Sequence, residues 1–305
     1  MNNALQINDV SRRYGSIAAL TDFSLDLPTG QITALVGPDG AGKTTLMRLI
    51  CNLIDMDKGE ILIGGRNMSD RFDEIKPELG YMPQVFSLYP DLSVEENLRF
   101  YAGIFDVYGE AFEKRAEELY RFSNLKPFRG RRAQALSGGM KQKLALSCAL
   151  MHDPKFLFLD EPTTGVDPLS RRQFWEILLN LRNEGVTILV STPYMDEVAR
   201  ADRACFIFGG KKLAEGTPDE LRHLFEGRLY YLDVEPASTL VEKLNNIEGI
   251  TARRFGAGLH LSIDRDDDIE HYRAGIERLG LDFNAINPIE ADLEDCFIQL
   301  MERLS

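Results

Sequence analysis

Eight residues near the start of the chain, Gly37-Pro38-Asp39-Gly40-Ala41-Gly42-Lys43-Thr44, have the spacing of a phosphate-binding loop: glycine, four residues, then glycine, lysine and a hydroxyl. Glycines let consecutive backbone N–H groups curl round a phosphate, and a helix N-terminus behind them adds positive field. At these positions a lysine reaches the β- and γ-phosphates and a hydroxyl holds Mg²⁺. Lys43 and Thr44 fill those two places, followed by Thr45. A glycine-rich strand-to-helix turn without a ligand would not require lysine beside a hydroxyl at its end. The motif therefore implies a bound nucleoside triphosphate.

Two further clusters gain meaning from this loop. Phe156-Leu157-Phe158-Leu159-Asp160-Glu161 is an apolar run ending in two carboxylates. Alone it could be an ordinary solvated strand end. Beside a phosphate loop, Asp160 would hold Mg²⁺ through water and Glu161 would position and polarise an attacking water. Leu136-Ser137-Gly138-Gly139-Met140 precedes Lys141 and an apolar helical run. A serine and two glycines at a helix start make a second anion cradle, although by themselves they are an ordinary cap.

The elements that must carry these residues follow from periodicity. Residues 32–36 read as a buried strand and 45–50 as the start of a helix, which is the setting a phosphate loop needs. Residues 1–30 alternate apolar and polar (Leu5, Ile7, Val10; then Phe23, Leu25, Leu27), which predicts antiparallel strands. A strand is expected at 60–63. Residues 92 to about 132 look helical, with Ser93 and Glu96 in a capping-box pattern and 113–122 continuing the helical region. Strands at 156–159, 186–190 and 205–208 with helices between them predict a parallel α/β sheet. Beyond about residue 227, strands at 229–234, 250–255, 259–263 and 282–286 alternate with helices at 237–246 and 269–279. This is a βαββαβ, ferredoxin-like order, closed by a helix at 293–302. Glu290, Asp292, Glu294 and Asp295 read as the solvated N-terminus of that helix, favoured by its dipole, rather than as a metal site.

At 305 residues the chain suits a large domain and a small one. Its net charge of −13 lacks the basic field that holds nucleic acid, which argues against DNA or RNA as the main partner. Cys51, Cys148, Cys205 and Cys296 are scattered and predict reduced thiols in a cytosolic protein. No apolar stretch approaches the roughly 18 residues of a membrane helix, and the first residues lack the regions of a signal peptide. A soluble cytoplasmic protein is expected, able to dock on a membrane complex.

Taken together, the phosphate loop, the Leu136-Ser137-Gly138-Gly139 signature, Asp160-Glu161-Pro162-Thr163-Thr164 and Gly165-Val166-Asp167 resemble the nucleotide-binding subunit of an ABC transporter over roughly residues 4–225. Gly37 to Arg48, Leu79-Gly80-Tyr81-Met82-Pro83-Gln84 and Ser137 to Leu144 are similar to the first ATPase half of YbhF-type ABC-2 exporters. Asp292-Leu293-Glu294-Asp295-Cys296-Phe297 is similar to the tail motif of ABC-2 drug-export ATPases. The resemblance implies an ABC ATPase domain over 1–226, with antiparallel β and helical subdomains, the latter at about 85–150. It implies an accessory, non-catalytic ferredoxin-like domain over 227–305. By the same resemblance Tyr14 stacks on adenine, Gln84 senses Mg²⁺ and faces the membrane subunit, and Asp167 lies at the dimer seam. Each has a plainer alternative: packing for Tyr14, a loop polar group for Gln84, a helix cap before Pro168 for Asp167. ATP and Mg²⁺ are the implied cofactors. The implied partners are ABC-2 type permease subunits on the inner face of the cell membrane, a second ATPase subunit and a periplasmic adaptor of HlyD type.

One position departs from the family. Where a switch histidine is usual, this chain reads Ser191-Thr192-Pro193-Tyr194. Proline has no ionisable group and no backbone N–H, so it cannot contact a γ-phosphate as histidine would. His152, His223, His260 and His271 lie outside this loop. Either the site binds ATP and turns it over slowly, which is the favoured reading, or Glu161 alone suffices. ABC subunits pair head to tail, so an intact signature beside a weakened site suggests an asymmetric heterodimer, with a homodimer as the alternative. Two other functions compete: an ATP-binding regulatory subunit with little hydrolysis, and a soluble ABC protein of translation or DNA repair. The latter usually carries two ATPase units or long insertions, and this chain has one phosphate loop and neither insertion.

Overall fold

The structure, a computed structural model, describes residues 3–85, 88–235 and 237–303. Residues 1 and 2 of the expected first strands and residues 86 and 87 of the expected helical region lie outside the described residues. The chain divides into two units, Met1–Pro218 and Asp219–Ser305, so the division falls slightly before the expected residue 226.

In the first unit, β1 (Asn3–Tyr14) and β2 (Ile17–Pro28) form an antiparallel pair. Leu5, Ile7 and Val10 face Leu27, Leu25 and Phe23 in one core; the two-residue alternation slips by one between Ile7 and Val10, where Asp9 takes φ 48° and bulges the strand. The chain continues through β3 (Ile32–Val36), α1 (Lys43–Ile50), β4 (Lys58–Ile63), β5 (Arg66–Asn67), α2 (Met68–Ile75) and β6 (Leu79–Met82). Then come α3 (Val94–Ile104), α4 (Gly109–Ser123), α5 (Gly138–Ala149), β7 (Phe156–Asp160) and α6 (Pro168–Asn183). The last elements are β8 (Thr187–Thr192), α7 (Met195–Val198), β9 (Arg203–Phe208) and β10 (Lys211–Gly216), and α8 (Pro218–Arg222) starts at the division and belongs to the second unit from Asp219 on.

The strands make an antiparallel sheet in the order β2-β1-β4-β5 and a six-stranded sheet in the order β10-β9-β3-β8-β7-β6. In the second sheet only β10 runs antiparallel, at one edge. Every residue of β3, β7 and β8 is buried, as expected of central strands covered on both faces. Parallel register sets Val36 beside Thr192 and Asp160 beside Ser191. The phosphate loop, the paired carboxylates and the loop at Pro193 therefore leave one sheet edge together, the usual place for a ligand in such a sheet.

The helical stretch expected from 92 to 132 is two helices. Asp106 and Gly109 take left-handed φ of 58° and 57°, which ends α3 and restarts the chain as α4. The capping box at its start is formed: Ser93 Oγ accepts from Glu96 N at 3.2 Å and Glu96 Oε2 from Ser93 N at 2.7 Å.

The second unit contains β11 (Arg228–Leu232), α9 (Ser238–Asn245), β12 (Thr251–Phe255), β13 (Gly258–Ile263), α10 (Arg273–Arg278), β14 (Ile286–Ile289) and α11 (Leu293–Glu302). Its antiparallel sheet has the order β12-β13-β11-β14, the strand order of a ferredoxin-like unit. Two expectations are corrected here. The strand expected at 282–286 is a 3₁₀ turn, Phe283–Ala285, because the Asp282 carboxylate accepts from Asn284 N at 2.9 Å and bends the chain before β14. The helix expected from 269 begins as a 3₁₀ turn, Ile269–Tyr272, whose start Asp268 caps.

The acidic run at 290–295 also differs from its solvated reading. Asp295 is only 3% exposed, and its Oδ1 lies 2.8 Å from His260 Nδ1 on β13. Its Oδ2 accepts from Asp292 N, and its own N–H donates to Asp292 Oδ1, closing a capping box. Burial raises the Asp295 carboxyl above its usual range, and the bonds to His260 and the cap oppose that rise. His260 in turn stacks on Phe255 at 3.8 Å. Asp295→Ala should lower stability by about 1–3 kcal/mol, through the lost cap and an orphaned imidazole. Urea denaturation followed by circular dichroism will show it, with Asp295→Asn as the milder comparison.

Candidate nucleotide site

A cavity of about 410 Å³ opens at the sheet edge where β3 meets α1. Tyr14, residues 39–45, Gln84 and Glu161 line it, together with Ile17, Ala18 and Ala19. Its floor is a loop that only glycine can build. A Cβ on Gly37 would lie 2.2 Å from the Ile207 carbonyl oxygen. One on Gly42 would lie 2.5 Å from the Ala19 carbonyl oxygen, and Gly42 has φ +108°. Ala41 N donates back to the Pro38 carbonyl at 3.2 Å, which turns the loop. No side chain caps α1, so the amides of its first turn are left for another acceptor.

Lys43 is the first residue of α1 and is 4% exposed. Its Nζ donates to the carbonyls of Gly37 at 2.8 Å and Pro38 at 3.1 Å, and lies 3.0 Å from Glu161 Oε1. Glu161 is 5% exposed, and its other oxygen accepts from Gln84 Nε2 at 2.9 Å and Thr164 Oγ1 at 3.3 Å. Its backbone N–H donates to Ser191 Oγ at 2.9 Å. Glu161 holds φ +48°, an unfavourable conformation for a residue with a Cβ. Such strain concentrates where a side chain must be aimed.

Asp160 ends β7 fully buried. Its Oδ1 accepts from Ser191 Oγ at 2.8 Å, while Oδ2 is buried with no hydrogen-bond partner. Burial raises its carboxyl above the usual range and the neighbouring Glu161 adds to that, while the hydroxyls of Ser191 and Thr44 and the charge of Lys43 oppose it. A buried carboxylate oxygen without a donor, beside a hydroxyl and a phosphate loop, fits a hard cation held with oxygen ligands. The loop's open amides and buried lysine fit a polyphosphate.

Tyr14, the loop from Asp39 through Thr45, Gln84 and Glu161 line the cavity together, whereas Gly37, Pro38 and Asp160 do not line it; the Gly37 and Pro38 carbonyls hold Lys43, and Asp160 directly precedes Glu161. Tyr14 is half exposed, with the Arg12 guanidinium 5.3 Å from its ring centroid. Ser137, Gly138, Gly139 and Asp167 do not line the cavity. Ser137 and Gly138 are exposed at the N-terminus of α5, where Ser137 Oγ accepts from Met140 N at 3.4 Å. Gly139 allows α5 to abut α6, since a Cβ there would meet Ser170 Oγ at 2.5 Å. Asp167 caps α6 by accepting from Ser170 N at 2.9 Å, and that N–H holds its carboxyl below the usual range. Pro193 is half-buried just beyond β8. His152, the histidine of this unit, lies elsewhere, on the Leu79 carbonyl and stacked against Phe105.

Sequence reasoning missed Ser191 and Thr164, which position the two carboxylates. The available signal for Ser191 is a hydroxyl at the end of an otherwise apolar strand. Among the described residues no group of three or more His, Cys, Asp or Glu is placed to hold a metal, so a cation here would draw on Thr44 and Gln84 as well as Asp160. The four cysteines are buried and unpaired with one another. No helix of the described residues is long and apolar enough to cross a membrane.

The family described as ABC transporter matches residues 20–164. The chain is 39% identical, over 72% of its length, to the probable multidrug ABC transporter ATP-binding protein YbhF of Escherichia coli, of whose length it spans 38%. It is 37% identical to the Nod factor export ATP-binding protein I of Cupriavidus metallidurans, over 72% of this chain and 73% of that one. A solved ATP-binding subunit of an ABC transporter superposes with a TM-score of 0.66 at 30% identity, covering 72% of this chain and 92% of that one. A bacterial ABC transporter cassette solved as a dimer gives 0.64 at 27% identity, over 70% and 98%. The chain belongs to the family of ABC transporter ATP-binding proteins.

Proposed function

We propose that this chain is the ATP-binding and hydrolysing subunit that powers an ABC-2 type membrane exporter of drugs or other small molecules. The observation that carries this is the buried Lys43–Glu161–Gln84 cluster above the orphaned Asp160 oxygen. In this reading the loop amides and Lys43 hold the β- and γ-phosphates of ATP, and Tyr14 stacks on the adenine. Thr44, Asp160 and Gln84 would hold Mg²⁺, which neutralises charge on the phosphate oxygens. Glu161 orients and polarises the attacking water. An incoming phosphate competes with Glu161 for Lys43, so substrate binding itself frees the carboxylate for its water.

Residues 1–218 are then the nucleotide-binding domain, and the second unit is an accessory domain. The exposed positions of Ser137, Gly138 and Asp167 suit a site completed by a second ATPase subunit, since none of them lines this chain's own cavity. Pro193 favours a heterodimer whose partner keeps its histidine, with a homodimer as the alternative. Tyr89 and Phe100 pack edge to face at 4.4 Å and are exposed, as are Ile104 and Tyr108 close by in sequence, which suits contact with ABC-2 permease subunits. A periplasmic HlyD-type adaptor would join through that permease, and the chain would sit on the cytoplasmic face. The relatives named for multidrug and Nod factor export support export.

Steady-state hydrolysis by the purified chain and its permease tests this. Pro193→His should raise turnover at least about tenfold, as one added donor to the reacting phosphate can. Wild-type turnover already brisk and unmoved by histidine would favour the homodimer. Turnover no faster than in Glu161→Gln would favour the regulatory subunit that Pro193 also suits.

A further inference from the structure

Glu197 is a buried carboxylate that the proposed reaction does not use. It stands on α7, is 1% exposed and does not line the cavity. Its Oε1 accepts from Thr163 Oγ1 at 2.7 Å and its Oε2 from Thr192 Oγ1 at 2.6 Å. Arg171 Nε on α6 lies 3.5 Å from Oε1, an ion-pair contact that balances the charge. The same guanidinium covers the Tyr194 ring at 3.8 Å from its centroid. A carboxylate removed from water persists only when paired and hydrogen-bonded, so these contacts constrain one another.

The contacts join three segments that the chain keeps apart. Thr163 lies two residues after Glu161. Thr192 is the last residue of β8 and the immediate neighbour of Pro193. Arg171 belongs to the helix that Asp167 caps. Thr192 Oγ1 also accepts from Tyr194 N at 3.1 Å, which closes the turn over Pro193. Next to it, Ser191 binds Asp160 and the backbone of Glu161. Among these hydrogen bonds none uses residue 193.

Building on the ATPase reading above, we propose that Glu197 is the positioning residue that holds the Pro193 loop in register with Glu161. It keeps the hydrolytic geometry in a loop that has no histidine to anchor it. The clamp works through two threonine hydroxyls that both donate to one carboxylate, so its function requires an acceptor-only group at 197. Glutamine has the same shape but turns one acceptor into a donor and loses the charge facing Arg171.

The test compares Glu197→Gln, Thr192→Val and Thr192→Ser with wild type for kcat, KM and equilibrium binding of a fluorescent ATP analogue. Hydrogen exchange of segments 161–165 and 192–197 is followed in parallel. Glu197→Gln and Thr192→Val should each lower kcat about 10- to 100-fold, the effect of a small misplacement of a reacting group, with nucleotide affinity held within about twofold. Thr192→Ser, which keeps the hydroxyl, should restore turnover. The Glu197→Gln/Thr192→Val double variant should be no slower than either single one, because both remove the same link. Unchanged kcat in Glu197→Gln, or kcat and affinity falling together, overturns the proposal. If wild type itself turns over no faster than Glu161→Gln, the ATPase reading fails and exchange decides the clamp alone. Faster exchange of both segments in Glu197→Gln sustains it, and loosening confined to 192–197 overturns it.

Discussion

Glu161→Gln is expected to stop turnover while leaving ATP bound. The amide oxygen of glutamine still accepts from Gln84 and Thr164, both of which donate to one oxygen of residue 161. It cannot take a proton from water. Losing a positioned base costs on the order of 10²- to 10⁴-fold in rate, about 3–5 kcal/mol of barrier. Binding should be unimpaired or tighter, because Lys43 no longer divides its charge between a phosphate and the carboxylate 3.0 Å away. Single-turnover hydrolysis and equilibrium binding, run on the same preparation, separate the two effects. Residual turnover near wild type would mean that another group handles the water, and the strained backbone at Glu161 would then need a different explanation.

How much of this could be read from the chain depended on whether the partners of a residue are local. The phosphate loop is one continuous segment whose glycines, lysine and hydroxyls are adjacent, so its chemistry could be read without a fold. The Asp160-Glu161 pair could be read because an all-apolar strand has to deliver its last residues to the sheet edge. The α11 cap at Asp292 and the α3 cap at Ser93 are equally local, and residues three apart along a helix start announce them. Ser191 and Glu197 could not be found this way. Ser191 reaches Glu161 only through the parallel register of β7 with β8, a pairing that no periodicity specifies. Asp295 misled for the opposite reason. An acidic run beside a helix start looks solvated, yet Asp295 within it is buried against His260, which arrives from β13. The signature at Ser137 is legible as a motif because its residues are adjacent, but its separation from the cavity in the single chain follows only from the fold.

Lys43→Met should unsettle the protein before ATP is added, and more than the loss of a surface lysine would. Lys43 and Glu161 are both almost wholly removed from water and face each other at 3.0 Å. Breaking a buried pair by removing one partner costs about 3–5 kcal/mol, because the other charge is left in a poorly solvating site. Gln84 and Thr164 would remain as donors to the stranded carboxylate, but neither carries a charge. The variant should also lose nucleotide binding, since the loop amides alone cannot balance a triphosphate. These two effects have different remedies. Adding Glu161→Gln to Lys43→Met removes the stranded charge and should return most of the stability while leaving ATP unbound. Urea denaturation of the four nucleotide-free species gives the coupling between the two positions. If Lys43→Met is as stable as wild type, the pair contributes nothing in the resting chain. Lys43 would then be held by the Gly37 and Pro38 carbonyls alone, and no phosphate would need to displace Glu161 on entry.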